Sequence, residues 1–374
     1  MSGKLTITFV LPGRGDIPVG GPKVVYEYAN CLARNGHSVT VVHPARSCSF
    51  ELGQAGSAMN WIRYFQIAMG KKFRPDHWFQ VDQKVNLVCV PSLSERWLPE
   101  GDIVIATSWR TAEWVSRYSK CKGRGFYLIQ HLETWDGPEE KVYATWKAPL
   151  HKIVIAKWLL EIANSRGEEA DYIPNGLSAN EFQMDITPQE RDPKRIMMLY
   201  HHADWKGSAQ GIEALLMVKE DSPEIKATLF GVPPRPAFLP KWIEYYQQPE
   251  RRLLRELYNQ AAIFVAPSWV EGWGLPPSEA MLCGAALVAT DIGGHREYAF
   301  HDRTALLSPA KDPRALANNI MRLVHDSNLR ARLAAQGHDY IRQFTWERAT
   351  DCLESVLCGN GSSLPEIAVR KASA

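Results

Sequence analysis

Short apolar runs rich in Val and Ile alternate along the first half of the chain with stretches whose apolar residues recur at helical spacing. Leu5–Leu11, Ser38–His43, Val85–Val90, Ile103–Thr107, Gly125–Gln130 and Lys152–Ala156 read as strands, since each is short and almost continuously apolar, as doubly covered strands are. Between the first two, Pro22–Arg34 sets Val24, Val25, Tyr28, Ala29, Leu32 and Ala33 on one helical face and ends at Asn35-Gly36, a helix terminator. Continuous apolar strands joined through helices predict an α/β fold with parallel sheet buried on both faces.

A second series follows the polar, Pro-containing stretch Asp185–Lys194, which reads as a linker. Arg195–Tyr200, Ala227–Gly231, Ile263–Pro267 and Ala286–Thr290 are its strands, and Gly207–Lys219, Arg251–Asn259, Pro277–Cys283 and Pro313–His325 its helices. With 374 residues the chain is long for one core, so two domains are expected, residues 1–185 and 190–343. The end of the chain, residues 361–374, lacks periodicity and reads as a tail.

Composition changes this picture only by exclusion. Hydrophobic residues are 45% and charged residues 22%, an ordinary globular mixture. The 43 basic and 41 acidic side chains leave a net charge of +2, which supplies no field to gather nucleic acid. Seven scattered cysteines with no C-x-x-C pair read as free thiols in a reducing compartment. Leu5–Leu11 stops at Pro12-Gly13-Arg14-Gly15 with no small-residue cleavage site, so it reads as a buried strand rather than a signal core. No apolar run approaches the roughly 20 residues of a membrane span. A cytoplasmic protein is expected. The basic stretch Lys71-Lys72-Phe73-Arg74 reads either as a solvated loop or as a peripheral contact with the inner face of a membrane.

Ligands of open parallel sheets bind at the carboxyl ends of strands, so the loops there carry the candidate chemistry. After the first strand, Val19-Gly20-Gly21-Pro22 leads into a helix, and adjacent glycines at such a place let backbone N–H groups approach a phosphate or a sugar. The same glycines also fit a bare turn. The spacing is not G-x-G-x-x-G and no acidic residue ends the second strand, which disfavours a nicotinamide cofactor. Further on, Glu271 and Glu279 are eight positions apart, about 80° around a continuous helix, so a shared helix face does not explain them. Gly272 and Gly274 break the front half of that stretch, Pro276-Pro277 suit a helix start and Gly284 a helix end. Glu271 is therefore expected in a loop and Glu279 in the first turn of the next helix, with the N–H groups of Gly274 and Leu275 turned toward an anion.

This stretch resembles the E-x7-E motif of glycosyltransferase family 4, retaining enzymes with two Rossmann-like domains facing across a cleft, the GT-B fold. The resemblance includes the E-G-x-G-L-P core at Glu271–Pro276 and Asp291-Ile-Gly-Gly-His-Arg-Glu297. It extends to Gly20-Gly21, Ile173-Pro-Asn-Gly176, Lys206-Gly207 and Phe344-Thr-Trp-Glu347. It implies an acceptor domain at 1–185, completed by a C-terminal helix at about 344–360, and a donor domain at 190–343. Glu271 would then hold donor-sugar hydroxyls and Glu279 the ribose, since carboxylates accept paired hydrogen bonds from vicinal diols. Gly272, Trp273, Gly274 and Leu275 would line the donor, with Gly20 and Gly21, and Lys206 would hold its diphosphate. His131, at the end of the strand Tyr127–Gln130, stands where the family often has a histidine facing the donor sugar. His131, Lys206 and Glu271 are the catalytic candidates. Where the family usually has an Arg five residues before the lysine, this chain has His201.

The implied reaction moves a sugar from a nucleotide-diphosphate sugar to an acceptor hydroxyl with retention, the leaving diphosphate assisting the acceptor on the same face. No cofactor and no essential metal are implied, and no D-x-D triplet occurs. A GT-B epimerase or phosphorylase, or a noncatalytic sugar-nucleotide-binding subunit, are the alternatives. The acceptor, whether glycan, lipid-linked or small molecule, is expected to meet variable loops of the first domain, chiefly Ser47–Lys84, and Glu133, Trp135 and Asp136. Tyr245-Tyr246 and Val232–Arg235 are candidates for contacting the base. The sequence specifies neither donor, linkage nor oligomeric state.

Overall fold

A computed structural model describes residues 3–45 and 58–360. Part of the expected acceptor segment Ser47–Lys84, together with Cys48 and the 361–374 tail, lies outside the described residues. The chain forms two compact units, residues 1–176 with 346–374, and residues 177–345.

The first unit runs β1 (Thr6–Val10), α1 (Gly20–Arg34), β2 (Ser38–Pro44), α2 (Ala58–Met69), β3 (Asn86–Val90), β4 (Ile103–Ala106) and α3 (Trp109–Val115). It continues through β5 (Arg124–Ile129), α4 (Glu139–Trp146), β6 (His151–Val154), α5 (Lys157–Ser165) and β7 (Ala170–Tyr172). Its seven strands are parallel in the order β3-β2-β1-β4-β5-β6-β7. The central strands are apolar throughout because helices cover both faces; Ile103, Ile105 and Phe9 are fully buried. α1 stops at Gly36, whose φ of 96° is the left-handed conformation that glycine supplies. The seven-residue α3 is too short to show a period and is set instead by a capping box between Ser108 and Thr111.

The second unit runs β8 (Arg195–Leu199), α6 (Ser208–Asp221), β9 (Lys226–Gly231), β10 (Ile243–Gln247), α7 (Arg251–Gln260), β11 (Ile263–Ala266) and α8 (Leu275–Leu282). β12 (Ala286–Thr290), β13 (Ala305–Ser308), α9 (Pro313–His325) and α10 (Ser327–Ile341) complete it. Its parallel order, β10-β9-β8-β11-β12-β13, repeats that of the first sheet. Both units are thus Rossmann-like. In each, the chain reverses its direction of travel across the sheet between two central strands, β1 and β4 in the first unit and β8 and β11 in the second. At such a switch point the loops on either side diverge and leave room for a ligand.

α11 (Trp346–Leu357) returns to the first unit, where Trp346 packs edge-on to Tyr28 at 5.4 Å and Glu354 engages His37 and Asn35 beside α1. The Asp185–Lys194 stretch, expected as a linker, is instead fastened to the second unit. Arg191 is 4% exposed and donates to the carbonyls of Ile186, Tyr258, Ala261 and Cys283, while Asp185 pairs with Arg255 on α7. A buried guanidinium with every donor pointed at a carbonyl holds this polar segment as firmly as an apolar one.

Candidate functional site

In the second unit, the two loops at the switch point converge. The loop after β8 carries His201 and Lys206, and the loop after β11 carries Ser268 and Glu271. Gly207 brings them together. Its φ is 65°, and an added Cβ would lie 2.0 Å from the Pro267 carbonyl oxygen, so only glycine lets the β8 loop close onto the β11 loop at this point.

Across this junction the Lys206 ammonium grips the Glu271 carboxylate, Nζ to Oε1 2.8 Å and to Oε2 2.9 Å. The Ser268 hydroxyl donates to Oε1 of the same carboxylate at 2.9 Å. Burial pushes the Glu271 pKa up, but Lys206, His295 and the Ser268 hydrogen bond outweigh it and hold the group below the ordinary glutamate value. Glu271 is therefore an anion already carrying hydrogen bonds. His201 opens to solvent on one side and is partly covered on the other; its Nδ1 accepts from the Ala203 N–H at 2.9 Å. Partial burial and the neighbouring Lys206 lower its pKa, so the ring is neutral at pH 7. Arg296, which would otherwise be available to an anion, forks onto Asp291 at 2.7 and 3.1 Å.

From Glu271 the chain turns through Gly272, Trp273 and Gly274 into α8. The Trp273 indole is 2% exposed and packs on Tyr298 and Phe344, so its side chain belongs to the core and only its backbone faces the loop. Gly274 is the N-cap, with φ 92°; an added Cβ would meet the Tyr298 hydroxyl at 2.7 Å. That hydroxyl donates to the carbonyls of Trp273 and Gly274, fixing the turn from beneath. The N–H groups of Gly274 and Leu275 thus stand at the helix N-terminus beside Glu271, while Pro276 and Pro277 contribute none. Since α8 begins at Leu275, ahead of the prolines, Glu279 lies in the second turn rather than the first. It is 5% exposed and accepts from the Tyr258 hydroxyl at 3.2 Å.

Two side chains here were not singled out in the sequence, although His295 lies within the Asp291–Glu297 stretch of the resemblance. Tyr258, buried on α7 among Phe182, Phe230 and Phe264, holds Glu279. His295 is 1% exposed; its Nδ1 lies 2.9 Å from the Thr290 carbonyl, which requires the proton there and leaves Nε2 an acceptor with no protein partner. Burial lowers its pKa despite Glu271 nearby, so it stays neutral.

The first unit places its candidates otherwise. Gly20 and Gly21 open α1 after β1, and a Cβ on Gly21 would rest 3.8 Å from the Gln130 side chain, in ordinary contact. His131 follows Gln130; its Nδ1 accepts from the Leu132 N–H at 2.8 Å, and its ring stands edge-on to Trp135 at 4.2 Å and Trp158 at 5.6 Å. Glu133, in the left-handed conformation with φ 57°, turns its carboxylate onto the Trp109 N–H at the start of α3, 2.7 Å away. Burial pushes its pKa up to about 7, helped by Asp136 and opposed by that hydrogen bond and Arg110. Glu133 thus shapes the loop behind His131, while Asp136 is tied to Arg110 at 2.8 Å. The expected base contacts are also committed in part: Tyr245 donates to the Pro233 carbonyl and Arg235 to those of Leu239, Pro240 and Ile243.

Comparison with known proteins bears on the fold. The family model for Glycosyl transferases group 1 matches residues 180–340, nearly the whole second unit. Over its full length the chain superposes on the UDP-glucose complex of Anabaena HepE with a TM-score of 0.71 at 15% identity, covering 95% of this chain and 100% of that one. The fold is GT-B. The sucrose-phosphate synthase of Thermosynechococcus elongatus shares it with a TM-score of 0.69 at 17% identity, over 94% and 98% of the two chains. In sequence, this GT-B chain is 24% identical to the phosphatidyl-myo-inositol mannosyltransferase of Mycobacterium leprae across 91% of itself and 93% of that protein. It is 36% identical to the D-inositol 3-phosphate glycosyltransferase of Xylanimonas cellulosilytica, a match spanning 29% of this chain and about a quarter, 26%, of that protein. Together these likenesses support a glycosyltransferase.

Proposed function

We propose that the protein is a retaining glycosyltransferase of family 4 that moves a sugar from a nucleoside-diphosphate sugar to an acceptor hydroxyl. The observation that carries this reading is the Lys206–Glu271 pair at the switch point of the second unit. Without donor, each charge neutralises the other. A donor offers its diphosphate to the ammonium and its vicinal sugar hydroxyls to the carboxylate, so both exchange one partner for a better-matched one and neither is left bare. Glu279, pre-aimed by Tyr258, is assigned to the ribose.

As the bond from the anomeric carbon to the phosphate oxygen breaks, negative charge grows on the diphosphate and positive charge on the sugar. Lys206 and the N–H groups at the start of α8 stabilise the first, Glu271 orients the second, and His201 adds a positive charge when protonated. The acceptor hydroxyl bonds to the anomeric carbon on the face the phosphate leaves, and its proton passes to that phosphate oxygen, which gives retention. In the first unit we assign the Gly20-Gly21 loop to the diphosphate end of the donor, His131 to the donor sugar, and the neighbouring loops to the acceptor. The names of the mycobacterial relative and of the UDP-glucose complex favour a nucleotide-sugar donor and a lipid-linked or polyol acceptor. No metal is assigned to the diphosphate; activity undiminished in chelator tests that assignment.

A thermal-shift panel of nucleoside diphosphates and their sugars tests the reading, because a ligand at 100 times its Kd stabilises by about 2.7 kcal/mol. Stabilisation by one base series, with the anomeric configuration of donor retained in the product by NMR, is the expected result. No stabilisation by any nucleotide would contradict it.

A further inference from the structure

α2 is apolar on two faces, and only one of them is used. Tyr64, Ile67 and Ala68 pack inward with Phe73, Leu87 and Cys89 beside β3. Trp61, Phe65 and Met69, each four residues from the next, form a second stripe with Ile62 that points into solvent; Phe65 is 53% and Met69 82% exposed. These four make up the largest group among the exposed large hydrophobic side chains of the described residues. A helix that merely covers a sheet would carry polar groups there.

The stripe is bordered by positive charge. Lys71 and Lys72 follow directly at its carboxyl end, both exposed and neither in an ion pair among the described residues. At its other end Trp61 packs edge-on to Trp97 at 5.7 Å, and the Arg96 guanidinium lies over Trp97 at 5.0 Å. Glu95, the nearest acid in sequence, is turned away to accept from the Ser119 N–H. Large aromatic and aliphatic side chains flanked by unpaired cations match the boundary of a bilayer bearing anionic lipid, with the rings at headgroup depth and the ammonium groups on the phosphates. A protein partner of the same apolar character would not require cations at both ends of the stripe.

We infer that α2 and the turn after it form a docking surface for an anionic lipid membrane, entered by Trp61, Ile62, Phe65 and Met69 and anchored by Lys71 and Lys72. This surface does not depend on the donor chemistry assigned to the second unit. The test is sedimentation of the full chain with vesicles of phosphatidylcholine, and of phosphatidylcholine mixed with phosphatidylglycerol, at low and high salt. Wild type should sediment with the mixed vesicles only, and high salt should weaken it. Trp61→Ser with Phe65→Ser, and separately Lys71→Glu with Lys72→Glu, should each lower binding about tenfold or more, and the lysine variant should keep the wild-type melting temperature because both its side chains are exposed. Wild type left in the supernatant, or either double variant bound as tightly as wild type, would overturn the inference. Conversion of an oligomer to monomer by the Trp61/Phe65 variant, with vesicle binding intact, would overturn it in favour of a second copy of this chain.

Discussion

The two switch points share a strand order and differ in what fills them. In the second unit a cation, an anion and a hydroxyl close on one another across the junction of two loops, and glycines there have left-handed φ and no room for a Cβ. In the first unit the corresponding loops hold glycines at an open helix start and a histidine wrapped in tryptophans. The contrast matches the ligands assigned. A diphosphate has fixed charge and shape, so its site is built of charges held in place before it arrives. The first unit is assigned one end of the diphosphate, the donor sugar and, on the neighbouring loops, an acceptor that varies, so it offers backbone approach and contact surface instead of fixed charge.

The contrast breaks most visibly at Lys206. Lys206→Ala should lower kcat/KM for transfer about 100- to 1000-fold, the scale of losing a group that stabilises developing charge, in steady-state assays with a folded variant. His131→Ala should cost less, about tenfold to 100-fold, because the part of the donor assigned to it is neutral. Equal losses would remove the distinction between the two sites.

The glycines sharpen it further. Gly207→Ala should destabilise by about 3 kcal/mol or more in denaturant unfolding, because its Cβ meets backbone rather than a side chain that can move. Gly21→Ala should leave stability within about 0.5 kcal/mol of wild type, or raise it through better helix propensity, yet weaken donor binding where backbone must approach ligand. A stable and fully active Gly21→Ala would make that loop a turn and nothing more.

His201 gives a smaller, pH-dependent effect. Its free-state pKa lies below 6.5 through partial burial and Lys206, and a bound diphosphate would raise it. Donor affinity should be greatest below the free-state pKa and fall as pH rises through the bound-state value, by about tenfold per unit of separation between the two, beyond titration of the phosphates. His201→Arg should flatten the profile measured by calorimetry. Parallel profiles for both proteins would place His201 away from the diphosphate. Smallest of all, Tyr258→Phe keeps the aromatic packing and removes only the hydroxyl on Glu279, so nucleotide affinity should fall a few-fold, about 0.5–1.5 kcal/mol, without a change in Tm.

What was legible in the sequence follows the same line. The central strands could be read because burial on both faces makes them continuous apolar runs. β7, β10 and β13 at the sheet margins could not: Ala170–Tyr172 has only three residues, and the Ile243–Gln247 run carries Glu244 and Gln247 into solvent. Glu271 was singled out by local spacing around glycines, and Lys206 by the family resemblance. Their pairing was not, since it depends on Gly207 and Pro267 meeting across 60 positions of chain. Tyr258 was invisible because a tyrosine on an amphipathic helix looks the same whether its hydroxyl meets water or a carboxylate. Trp273 misled in the opposite sense: it lies inside the motif, and its indole faces the core.

The central claim is that the second unit binds the donor with a division of labour between its two glutamates. Calorimetry with a nucleoside diphosphate and with its sugar, on wild type, Glu271→Gln and Glu279→Gln, tests it directly. Glu279→Gln should weaken both ligands alike. Glu271→Gln should weaken only the sugar-bearing donor, and should leave the diphosphate alone bound as well or better, because Lys206 is released from its partner. Equal losses for both ligands in both variants would contradict the account.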